Sequence, residues 1–194
     1  MKTLRPLLLA ASALLVLTTA RATTVVPPTF DELVQEAQLI VQGTVTDVKS
    51  QFIGEGSDRH IVTFVTVSVE DALKGDPGAS YTFRMLGGTV GDETLEVSDA
   101  PKFKVGERDI LFLENNGKQF IPLVGIMHGR FHVDQDKQTG ADIVLENNGN
   151  PLTNLDRLGR VDETKTAKAQ SNAVERPLDV DSFKAAIRGK LGVQ

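Results

Sequence analysis

The chain has 194 residues, is 40% apolar but only 5% aromatic, contains no cysteine, and carries a formal net charge of −5 at pH 7. Without cysteine there is no disulfide framework and no lipid-anchored lipoprotein. The acidic balance argues against a nucleic-acid backbone or an anionic lipid surface as partner.

The chain opens with Lys2 and Arg5, followed by an apolar run from Leu7 to Leu17. That run is shorter than the roughly 20 residues a membrane span needs, but suits the core of a signal peptide. Ala20 and Ala22 form a small-x-small cleavage pattern, so residues 1–22 are expected to be a signal peptide and Thr23 the first mature residue. Removing Lys2, Arg5 and Arg21 from 21 basic residues leaves 18 against 26 acidic, a net charge near −8. The expected location is therefore outside the cytoplasm, periplasmic or secreted. The mature chain suits one domain and is long enough to bury a core without staples.

Thr29-Phe-Asp-Glu32 has the spacing of a capping box and predicts a short helix over 30–38, entered from the rigid Pro27-Pro28 pair. The period then changes to two. "LIVQGTVTDV" places Leu39, Val41, Gly43 and Val45 on one side of a strand, with a bulge or bend expected at Gly43. After a "GEGSDR" loop, "HIVTFVTVSVEDAL" predicts a second long strand with Ile61, Val65, Val67 and Val69 inward. "KGDPG" turns the chain into a third strand, "SYTFRML". "KVGERDILFLENNGKQFIPLV" predicts two strands joined at Asn116-Gly117, a strong hairpin signal. "RFHV" and "ADIVL" predict a further hairpin around "DQDKQTG".

Residues 147–178 are polar without apolar periodicity and predict a loose extension. In residues 179–194, Phe183, Ile187 and Leu191 lie four apart and predict a helix docking by one stripe. The expected fold is mainly β. Residues 23–146 form a small antiparallel OB-like barrel, closed or nearly so, with a short N-terminal and a C-terminal helix. A sandwich is the alternative.

Candidate chemistry is sparse. "MLGGTVGDE" lacks the Gly-Lys-Ser/Thr of a phosphate loop, so Gly87, Gly88 and Gly91 are expected to serve turns. His128 and His132 are four apart on an expected strand, about 13 Å, too far to share a metal. His60 stands alone at a strand start. Asp134, Asp136 and Asp142 lack the glycine and glutamate positions of a calcium loop. Glu93, Glu96 and Asp99 cluster without apolar walls to raise a carboxyl pKa. No nucleophile–base pair stands out, so neither enzyme activity nor a cofactor is expected.

"TTVVPPTFDELVQEAQLIVQGTV" resembles the N-terminal segment of the tissue inhibitors of metalloproteinases, whose mature chain begins Cys-x-Cys-Val-Pro-Pro before a helix and the first barrel strand. "EDALKG" and "ILFLENNGKQFIPLV" are similar to later parts of that family. The resemblance covers about residues 23–132 and implies a netrin-like barrel. The chain also resembles a set of exported bacterial proteins of uncharacterised activity that share a pattern like "VEDALKGD…GGTVG…PKFKVGERDILFL…VGIMHGRF".

The inhibitor resemblance implies a mechanism. The Thr23 α-amine and carbonyl would bind the zinc of a partner metalloprotease, with no metal site in the chain itself. Thr24 would enter the specificity pocket. Val25 and Val26 would run along the cleft, while Pro27 and Pro28 stiffen the wedge. Both family cysteines are replaced here, by Thr23 and Val25, so something else must hold the wedge. The leading expectation is thus a protein-binding domain. A non-enzymatic envelope or glycan-binding module and a hydrolase using Glu93 or Glu96 are the other two.

Overall fold

The computed structural model describes residues 26–160 and 176–192. The expected signal peptide and Thr23, Thr24 and Val25 lie outside the described residues.

The first element is helix α1, Phe30–Glu36, and its capping box forms as the sequence predicts. Thr29 N donates to Glu32 Oε2 at 2.7 Å, and Glu32 N donates to Thr29 Oγ1 at 3.3 Å. Phe30, Leu33 and Val34 form its buried side. Two long strands follow, β1 (Leu39–Ile53) and β2 (His60–Lys74). Both are rich in Val and Thr, residues that suit a pleated surface. Their antiparallel register shifts three times, between Ile40/Val41, Gln42/Gly43 and Val45/Asp47. At Gly43 a side-chain carbon would collide with the Ser68 carbonyl oxygen, which accounts for glycine at this irregularity.

β3 (Ser80–Leu86) pairs with β2, and a short ribbon of β4 (Gly88–Val90) and β5 (Glu93–Leu95) forms a separate sheet. β6 (Arg108–Leu113), β7 (Arg130–Gln135) and β8 (Asp142–Glu146) complete the main sheet, whose order is β3-β2-β1-β6-β7-β8. The β7–β8 hairpin forms at the predicted place, with Val133 opposite Val144. Its tip is closed by Asp136, whose Oδ1 accepts from Gln138 N and Thr139 N, both at 2.8 Å.

The protein is thus mainly β and antiparallel, with two helices, as expected. It departs from expectation in closure: the six-stranded sheet is open, with β3 and β8 as its edges. The reason lies in residues 114–122. The expected second strand of the Asn116-Gly117 hairpin contributes only one bridge, Leu113 to Leu123. The segment turns at Asn115, whose carbonyl accepts from Lys118 N at 2.8 Å, and lies against the edge of β3. There Asn116 acts in place of a strand. Its Oδ1 accepts from Arg84 N at 3.1 Å and its Nδ2 donates to Thr82 O at 3.0 Å. Leu86 N donates to Phe120 O at 2.7 Å. A side-chain amide carries the same donor and acceptor as a peptide unit, so the edge is satisfied without a ladder.

Two apolar layers sandwich the sheet, and β1 and β6 feed both. Ile40, Ile110 and Phe112 face the helices, while Val41, Leu111 and Leu113 face the curled side with Phe83 and Phe103. A strand buried on both faces reads as a continuous apolar run, as "DILFL" does. On the helix side the last element, α2 (Val180–Leu191), inserts Phe183 among Phe30, Phe112 and Phe131, with ring centroids 5.8, 6.3 and 5.0 Å away. Ile187 is buried beside it and Leu191 packs at the margin, so the predicted stripe docks. Asp71 anchors the same helix, 3.0 Å from Lys184 Nζ and 2.8 Å from Arg188 Nη2.

Of the stretch expected as a polar extension, the described parts run along the free side of β8. Leu152 N donates to Val144 O, Val144 N to Leu178 O and Leu178 N to Leu152 O, at 2.9, 2.9 and 2.7 Å. Leu152 is buried in the helix-side core. Leu155, Leu158 and Leu178 pack against the same core, and scattered anchors of this kind leave no periodic signal in a sequence. Among the described residues, no helix is long and apolar enough to cross a membrane.

Candidate functional site

The N-terminal segment enters the fold beside a cleft. Val26, the first described residue, is 73% exposed. Pro27 and Pro28 are half-buried, and Pro28 sits in close contact with Gly125. A β-carbon on Gly125 would lie 2.8 Å from Pro28 Cδ, and one on Gly159 would lie 2.7 Å from Thr29 Cγ2. Both glycines also have positive φ, at 61° and 84°. Two glycine surfaces and the capping box of α1 therefore hold residues 28 and 29 from three sides. These contacts position residues 28 and 29 without cysteine.

The cleft next to Pro27 and Pro28 has a volume of about 550 Å³. The buried side chains of Leu33, Phe131 and Leu152 lie beneath it, partly exposed Pro27, Pro28 and Met127 give it apolar surface, and the turn after β8, residues 146–151, forms one wall. Met127, His128, Arg130, Arg157 and Arg160 also line it. The His128 ring is half-buried, and burial pushes its pKa below the ordinary imidazole value, opposed by the nearby Glu146 carboxylate. Glu146 Oε2 accepts from Asn148 Nδ2 at 3.2 Å. The turn itself is held by Glu146 N donating to Asn150 O and Gly149 N donating to Glu146 O, each at 2.8 Å.

Bordering the cleft through Arg130 lies a buried charge centre that the sequence pattern did not single out. Arg130 is 2% exposed and Asp109 is fully buried. Arg130 Nη2 contacts Asp109 Oδ2 at 2.9 Å and Glu107 Oε2 at 2.7 Å, and Arg130 Nη1 donates to Lys102 O at 2.8 Å. Its guanidinium carbon lies 3.9 Å from the centre of the Phe103 ring. Asp109 Oδ1 approaches His132 Nδ1 at 2.8 Å, but the two are not aligned as a hydrogen bond. The clue in the sequence was Asp109 within the otherwise apolar strand "DILFL", a charge that folding must pair.

The other sequence candidates are dispersed. His128 lines the cleft while His132 faces Asp109, and His60 Nδ1 contacts Asp58 O at 2.6 Å on the surface. Glu93 lies 3.4 Å from Arg59 and Glu96 3.5 Å from Lys102, both as exposed pairs, and Asp99 occupies a turn with positive φ. Gly87 and Gly88 pack against Leu95 and against Ser50 and Thr63, while Gly91 lies in the β4–β5 turn. Asp142 is drawn 2.8 Å from Arg108, Asp136 closes the β7–β8 turn, and Asp134 is exposed on β7. Among the described residues no three or more metal-ligating side chains converge. Of the predicted contact residues, the structure describes Val26, Pro27 and Pro28, and it brings the two prolines to the rim of the cleft.

Comparisons with protein-family models, with curated proteins and with solved structures find no match.

Proposed function

We propose that this chain is an exported, periplasmic or secreted, protein-binding domain whose mature N-terminus inhibits a zinc metalloprotease. The observation that carries the reading is the seat of Pro28 on Gly125, immediately before which Val26 is exposed. A segment fixed at its base loses less entropy on binding than a linker. In this reading signal cleavage frees the Thr23 α-amine. An α-amine has a pKa near 8, so a useful fraction is neutral at neutral pH. Catalytic zinc keeps one coordination position open, and the amine and carbonyl of Thr23 take it in place of the attacking water. Thr24 enters the adjoining pocket, and Val25 and Val26 run beside the protease's sheet edge.

The same proposal reads the open sheet as a netrin-like, OB-related barrel in which residues 114–122 replace the closing strand. The Asn116 and Phe120 contacts to β3 support that reading. It assigns no nucleic-acid partner, no membrane insertion after cleavage and no catalysis to the chain.

The test is a paired titration against a panel of zinc metalloproteases. One sample begins at Thr23; the other carries one alanine before it. Inhibition by the first and its loss in the second is the expected result. Equal behaviour of the two samples, active or inactive, would overturn the terminal-amine mechanism.

A further inference from the structure

The cleft beside Pro28 has the makings of a site in its own right. Its volume of about 550 Å³ lies within the range of roughly 300–1,000 Å³ typical of small-molecule sites. Its floor is apolar and its walls are polar, the usual division between affinity and orientation in such sites. The wall groups retain hydrogen-bonding capacity. Among the described residues, the His128 ring and the Asn147 amide have no hydrogen-bond partner, and Glu146 Oε1 is likewise unused. His128, Glu146 and Asn147 are all partly buried, so their capacity is directed into the cleft and its mouth rather than spread over open surface.

The chemistry of these groups narrows the ligand. Burial lowers the imidazole pKa and so favours the neutral ring, which offers one donor and one acceptor. The Asn147 amide offers both kinds as well, and the Glu146 carboxylate only accepts. A hydroxyl group donates and accepts at once, so a ligand bearing several hydroxyls matches all three. The carboxylate repels an anion, and the imidazole and amide hold no charge to attract one. Of the three arginines on the lining, Arg130 is neutralised by Asp109 and Glu107, and Arg157 and Arg160 are exposed rather than enclosed. Pro27, Pro28 and Met127 are partly exposed on the lining and supply apolar surface for the C–H face of a ring.

We infer that this cleft binds a neutral polyhydroxylated ligand, one or two sugar rings in size. The site is distinct from the Thr23 contact.

Calorimetry and NMR of the full mature chain would test this, with glucose, N-acetylglucosamine and maltose as probes and inorganic phosphate as the anionic control. Saturable binding of at least one sugar is expected, with movement of the His128 ring resonances. Asn147→Ala should weaken that binding about tenfold, which corresponds to loss of one good hydrogen-bonded contact, and leave the unfolding midpoint unchanged. His128→Ala should do the same, and an alanine placed before Thr23 should have no effect. The inference fails if none of the three sugars saturates, if both variants bind as the parent does, or if phosphate alone shifts the His128 resonances.

Discussion

Replacing Arg130 by Met tests the buried charge centre. The substitution keeps much of the volume but removes the guanidinium that neutralises Asp109, which has no exposure of its own. Asp109 would then be buried with only the neighbouring His132 ring, 2.8 Å from Oδ1, to answer it. Breaking a buried pair from one side costs about 3–5 kcal/mol, because the remaining charge must be desolvated without its partner. Asp109→Leu should cost a similar amount, since it strands Arg130 beneath Phe103 with only Glu107 and the Lys102 carbonyl. The double variant removes both charges and should be more stable than either single variant, because an apolar pair avoids the desolvation penalty altogether. Urea unfolding of the four proteins at neutral pH gives the coupling energy directly. If the double variant lost the sum of the two single losses, the charges would not be acting on each other and the reasoning would fail.

Three further outcomes follow from packing and charge. Phe183→Ala should cost about 3–5 kcal/mol in urea unfolding, because it empties the meeting point of three other rings; a loss under about 1 kcal/mol would show that α2 is not part of the core. Asn116→Ala should cost about 1–3 kcal/mol and, by uncovering β3, promote concentration-dependent association visible in light scattering; a strictly monomeric variant of unchanged stability would refute the sealing role. Burial pushes the Asp71 carboxyl up, but Lys184 and Arg188 outweigh it and hold the pKa below the ordinary value. A lowered folded pKa stabilises above the unfolded value and loses that contribution as pH falls, here from about pH 4 downward. Asp71→Asn should therefore destabilise at pH 7 and converge on the parent in acid, as followed by urea unfolding at the two pH values; an equal loss at both would exclude the ion pairs as its cause.

The sequence disclosed the elements with strong local causes. The Thr29–Glu32 box, the alternation along β1 and β2 and the Phe183 stripe each act within a few residues, and each is present in the fold. Closure was not legible, because it depends on where a loop falls in space. Asn116-Gly117 carries the chemistry of a tight turn, and a turn does form, but the partner of that segment is β3, more than 30 residues upstream. The cleft was hidden for the same reason. Pro28, His128 and Glu146 are far apart in the chain, and the stretch carrying the wall is held by Leu152, Leu155 and Leu158, apolar residues scattered in a polar stretch. The centre at Arg130 could have been suspected from Asp109, but its partner could not have been chosen among the basic residues by pattern alone.

The N-terminal segment joins these levels. On the proposed reading the N-terminal wedge must be held without cysteine, and none exists here. The substitute is steric. Gly125 and Gly159 have no side chains, so Pro28 and Thr29 approach their backbones at distances a β-carbon would forbid. Because both glycines have positive φ, alanine at either position meets backbone strain as well as collision. The capping box then fixes the direction in which the chain leaves α1. A covalent tether would act mainly on the unfolded chain, whereas this contact acts only in the folded one. Positioning of the segment is therefore as stable as the loops that carry the two glycines. Gly159 follows the stretch along β8 that walls the cleft, so whatever tightens that wall also tightens the hold on Thr29. Sugar binding in the cleft and the stiffness of the N-terminal segment should for that reason be coupled, and by linkage a partner gripping the segment would bind more tightly when the cleft is filled.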